Sequence, residues 1–68
     1  MTDFTNYTDD EVLTEAHNVA SRLSYYNAAE GNWSREAEAR SACQKEWNAI
    51  MNEVRSRGLE FENRGYLL

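Results

Sequence analysis

His17 and Cys43 first suggest chemistry, because a thiol served by an imidazole is the nucleophile-and-base pair of cysteine hydrolases. They are the only histidine and the only cysteine in the chain, and neither a glycine-rich turn nor a local hydrolase signature accompanies them. Their ordinary roles are a histidine on a helix flank and a small core residue. Together they also fall short of the roughly four Cys or His ligands of a closed zinc site. Glu11 with Glu15, or Glu36 with an acid across a hairpin, could approach a divalent cation. Di-metal bundles, however, present an inward Glu-x-x-His, and that motif is missing. Gly31, Gly58 and Gly65 stand alone, as helix stops or turns rather than a phosphate-cradling loop. Arg55, Arg57 and Arg64 face a formal charge of -5, which argues against direct nucleic-acid binding. No catalytic residue, cofactor or metal is assigned, and a non-enzymatic role is expected.

The elements that would position these residues are two helices. Thr8-Asp9-Asp10-Glu11 fits a capping box, with Tyr7 and Val12 at the staple positions before and after it. From there Val12, Ala16, Val19, Leu23 and Tyr26 recur at steps of 4, 3, 4 and 3, one apolar stripe of a helix over 9–29 that Gly31 would close. Asn32 and Ser34 can cap a second helix over 34–57. Its apolar positions are Ala37, Cys43, Trp47, Ile50, Met51 and Val54, and Gly58 with Leu59 fits a Schellman ending. Glu36 to Arg40 and Glu53 to Arg57 are i, i+4 pairs in the favourable order. Asn6-Tyr7-Thr8 and Asn32-Trp33-Ser34 match the glycosylation pattern, but both fall where caps are needed.

Helices of similar length joined by a short link predict an antiparallel hairpin, all-α, flanked by an N-terminal arm (1–7) and a C-terminal tail (59–68) within a single domain over 1–68. The tail alternates apolar and polar residues before ending in Tyr66-Leu67-Leu68. It can fold back on the hairpin, add a strand to a partner, or stay mobile until bound.

A chain of 68 residues seldom builds a core worth more than about 3–5 kcal/mol without a staple. With neither disulfide nor metal available, oligomerisation remains. Two helices cover only part of each other's stripe, so Val12, Val19, Leu23, Trp47, Ile50, Met51 and Val54 are expected to form the core and to pair two copies into a dimeric four-helix bundle. The alternative is a monomer closed by its termini through Phe4, Tyr7, Phe61 and Tyr66.

Tyr and Trp are enriched at binding hot spots. Tyr25, Tyr26 and Trp33 fall at the hairpin tip, and with Tyr66, Leu67 and Leu68 they are the candidate partner-binding residues. Tyr26 and Trp47 are also the natural fillers of a bundle core.

Charge is uneven. Residues 1–15 hold five acids and no base, whereas residues 16–68 hold seven acids and seven bases. Asp9, Asp10 and Glu11 in a first helical turn suit the macrodipole, which accounts for much of that asymmetry. The opening Met1-Thr2-Asp3 lacks an export signal, no apolar run reaches a membrane span, and the lone thiol suits a reducing compartment, so a cytoplasmic location is expected.

The capped start Thr8-Asp9-Asp10-Glu11-Val12-Leu13 and the run from Glu46-Trp47 to Arg55-Ser56-Arg57-Gly58-Leu59 resemble the small acidic helical-hairpin accessory proteins of phages, over residues 8–59. The resemblance implies a phage or prophage factor that binds a host or phage protein in the host cytoplasm, and it carries over no functional residue. Two other functions compete with an interaction module. One is an acidic decoy for a nucleic-acid-binding protein, using Asp3, Asp9, Asp10, Glu11, Glu15 and Glu30. The other is a small enzyme or metal protein using His17 and Cys43.

Overall fold

The computed structural model describes the backbone of residues 4–28 and 34–68, and the side chains of 4–28 and 37–68. Among these residues there are two helices and no strand: α1 over Asp9–Ala28 and α2 over Ser34–Ser56. Trp33, Gly31, Asn32, Glu30 and Asp3, and the side chains of Ser34 and Glu36, fall outside the described set.

Both ends of α1 and α2 that can be followed are built as the sequence chemistry requires. The Thr8 amide donates to Glu11 Oε1 at 2.9 Å, and the Glu11 amide donates to Thr8 Oγ1 at 3.1 Å. That reciprocal pair satisfies two amides which a helix start leaves without partners. At the far end the Gly58 amide reaches the Arg55 carbonyl at 3.0 Å and the Leu59 amide reaches the Val54 carbonyl at 2.9 Å. Gly58 has φ +68°, the left-handed conformation that makes glycine the natural residue here.

The helices run antiparallel. Val12 and Ala16 pack with Ile50 and Val54 near the open end, and Val19 and Leu23 pack with Cys43 towards the tip. Arg22 of α1 meets Glu46 of α2 at 3.1 Å on the rim of that seam.

The chain's own ends close the seam. Phe4 is 6% exposed and belongs to the same cluster as Val12 and Val54, with Tyr7 edge-on to it at 5.4 Å. Arg57 holds this arm in place: its guanidinium donates to Glu53 Oε2 at 2.6 Å, to Asp9 Oδ1 at 3.0 Å and to the Phe4 carbonyl at 2.8 Å. On the other side the tail folds back over α1 and α2, so of its three expected fates the described residues adopt the first. Val12, Val19, Leu23, Ile50 and Val54 are buried within one chain, and Trp47 and Met51 are half-buried. Among the described residues the apolar stripe is thus covered in large part by the chain's own ends. The arrangement is the termini-closed one, with one difference: Tyr66 does not join Phe4 at the open end.

Candidate interaction surface

The tail travels parallel to α1, from the open end towards the tip, and three rings set its path. Phe61 lies against His17 at 4.6 Å between ring centres and edge-on to Trp47 at 5.1 Å. Tyr66 stacks beside Phe61 at 6.3 Å and its hydroxyl is 3.2 Å from His17 Nδ1. An offset or edge-on aromatic pair adds about 0.5–1.5 kcal/mol beyond the area it buries. His17, the notional catalytic base, therefore serves as the tail's seat.

Between Phe61 and Tyr66 the chain turns on Asn63. Its Oδ1 accepts from the Gly65 and Tyr66 amides at 3.0 and 2.7 Å, and Gly65 takes φ +98°. This side-chain mimic of a backbone turn directs Tyr66 back onto α1. Leu67 is then gripped through its backbone: its amide donates to Ser24 Oγ at 2.9 Å, and Asn27 Nδ2 donates to its carbonyl at 2.6 Å. Ser24 and Asn27 lie one helical turn apart on a single face of α1, which is why both reach the same residue.

The structure thus sorts the six partner candidates. Tyr25, Leu67 and Leu68 are 70, 55 and 47% exposed. Tyr26 is half-buried against Val19, Leu23 and Cys43, with Tyr25 edge-on to it at 5.6 Å. Tyr66 is half-buried by the tail seat, and Trp33 is not described. Since Leu67 is bonded to Ser24 and Asn27, the C-terminal leucines and Tyr25 all sit at the last turns of α1. A shallow hollow of about 670 Å³ opens beside the two leucines, lined by Asn27, Gln44, Asn63, Tyr66, Leu67 and Leu68. The sequence pattern leaves the direction of the tail open and gives no sign of Ser24 or Asn27; the Asn-x-Gly spacing of 63–65 is the turn signal that marks where Tyr66 is directed back.

Cys43 and His17 are not brought together. Cys43 is buried, its thiol donates to the Val19 carbonyl at 3.7 Å, and burial pushes its pKa up, with Arg22 opposing and Glu46 reinforcing that shift. A thiol held protonated is a poor nucleophile. No group of three His, Cys, Asp or Glu residues among those described converges as a cation site, and no described helix is long and apolar enough to cross a membrane.

Of the acids that a decoy would present, Asp9 is paired with Arg57, Glu11 is engaged in the cap, and Glu15 lies 3.8 Å from Arg22. Asp10 shares a second hollow with His17, Glu60, Glu62 and Arg64, where the basic side chain interrupts the negative surface. Compared with known proteins, the chain matches no family model, no curated protein and no solved structure.

Proposed function

We propose that the protein is a non-enzymatic protein–protein interaction module that presents Tyr25, Leu67 and Leu68 to a protein partner. The observation that carries this reading is where apolar side chains remain in water: among the described residues the large exposed ones are Tyr25, on the last turns of α1, and Leu67 and Leu68, which the Leu67 hydrogen bonds to Ser24 and Asn27 bring to those same turns. A single exposed leucine needs no explanation, but two in succession held on the last turns of a helix that also exposes a tyrosine are the kind of side chain that a partner desolvates. The tail's hydrogen bonds to Ser24 and Asn27 hold that end in a fixed shape, which lowers the entropy cost of binding.

A phage-type accessory or regulatory factor acting on a host or phage protein fits this architecture. The residues that carry the phage resemblance are the ones that cap α1 and end α2, so they speak to the scaffold rather than to the contact surface.

The test is affinity capture with variants. A partner held by the natural chain should be lost with Tyr25→Ala or Leu67→Ala/Leu68→Ala, kept with Asp10→Asn, and little affected between about 50 and about 200 mM salt. Capture that ignores the first two variants, or that collapses with salt, would remove this reading. The salt result would favour the acidic decoy.

A further inference from the structure

The groove beneath the tail has a defined occupant, and the way it is held suggests a second source for it. Beyond Leu59, the tail's contacts with the helices include Phe61 on His17, Trp47 and the buried cluster of Val12 and Ile50, Tyr66 on His17, and Leu67 on Ser24 and Asn27. The turn that shapes it is internal to the tail, formed by Asn63 with Gly65 and Tyr66. None of these contacts requires that tail and groove belong to one chain. We propose that the groove also takes residues 59–68 of a second copy, giving a tail-exchanged dimer in which each copy's Phe61 and Tyr66 lie against His17 and Trp47 of the partner subunit.

The hinge is at Gly58. Its left-handed backbone ends α2 and turns the tail back onto its own groove. Glycine moves between left- and right-handed conformations with little penalty, so α2 can extend through this position and carry the tail outwards. From Gly58 the tail spans 11 residues, which reach roughly 36 Å when extended. The molecule's longest dimension is 36 Å, so the reach suffices to seat the tail on a neighbour. Exchange recreates the tail's contacts with the groove and replaces the Gly58–Leu59 turn with continued helix, which is why swapping is an accessible route to a dimer. A short connection gives the chain's own tail an effective concentration in the millimolar range, so the closed monomer prevails on dilution.

The proposal is tested by Gly58→Ala. A Cβ at this position meets nothing within 4 Å, so the substitution introduces no clash and acts on backbone conformation alone. It disfavours the left-handed turn by roughly tenfold and favours continuation of α2. Two hinges open per dimer, so sedimentation at fixed concentration should show a dimer association constant raised about a hundredfold, roughly tenfold for each hinge, and adding Phe61→Ala/Tyr66→Ala should return the chain to monomer. Gly58→Ala that stays monomeric to about 1 mM, or a dimer that survives loss of both rings, would overturn the proposal. Should that variant fail to fold, Ser24→Cys/Leu67→Cys gives an independent reading. Interchain disulfide dimers should grow with concentration during oxidation, and intrachain cross-links at every concentration would overturn it.

Discussion

At the scale of the residue, two side chains show how local surroundings set chemistry. Hydrogen bonds from the Thr8 amide and hydroxyl hold the Glu11 carboxyl below its ordinary pKa of 4.5. A lowered folded-state pKa contributes stability that is fully present above 4.5 and is lost as the pH falls through the folded-state value. Glu11→Gln, which keeps a capping acceptor without a charge, should therefore flatten the acid limb of a stability–pH curve measured by denaturant melts. A curve unchanged below that pH would show the carboxylate contributes nothing. For Cys43 the expectation is slow chemistry. A thiol that is buried, bonded to the Val19 carbonyl and raised in pKa should be alkylated at the rate of global unfolding, so labelling should accelerate with denaturant in step with loss of helix. Rapid labelling of the folded chain would contradict the packing of α1 on α2.

At the scale of the element, α1 and α2 were legible from the sequence because their signals are local. The capping box, the 4-3-4-3 apolar spacing and the Gly-Leu ending each act within one turn of the chain, and α1 starts at Asp9 while α2 closes at Gly58 as those signals require. The destination of the tail was not legible, because it depends on contacts 14 to 49 residues apart. Trp47 with Phe61, Ser24 with Leu67 and His17 with Tyr66 leave no spacing pattern in the sequence. Trp47 illustrates the difference. Its period marks it as a core position, yet the side chain is half-buried and the tail's Phe61 completes its cover. Trp47→Ala should therefore cost about 2–3 kcal/mol in denaturant melts, below the roughly 3–5 kcal/mol typical of a fully enclosed Trp. Leu23, which is 0% exposed, makes the useful comparison. If Trp47→Ala costs under about 1 kcal/mol while Leu23→Ala costs the roughly 2–5 kcal/mol of a buried leucine, Phe61 does not cover the indole.

At the scale of the whole molecule, the account turns on how a short chain hides its apolar stripe. A core too small to be comfortable calls for a staple, and composition alone points to a second copy. Within one chain the termini cover much of that stripe: Phe4 under the Arg57 clasp on one side, and Phe61 and Tyr66 on the His17 seat on the other. Among the described residues the large apolar side chains left exposed are Tyr25, Leu67 and Leu68, three of the six partner candidates that residue type suggests. The candidate site was half legible: Tyr25, Leu67 and Leu68 were named from residue type, whereas the seating of Leu67 on Ser24 and Asn27 depended on the direction of the tail.

The most direct test of this closure is a two-dimensional NMR spectrum of the natural chain, dilute enough to be monomeric, recorded for contacts between aromatic protons. Cross-peaks from the Phe61 ring to both the His17 and Trp47 rings are expected, with dispersed amide shifts through residues 60–68. Absence of both sets of cross-peaks, with random-coil shifts along the tail, would contradict the account and return the apolar stripe to solvent or to a partner chain.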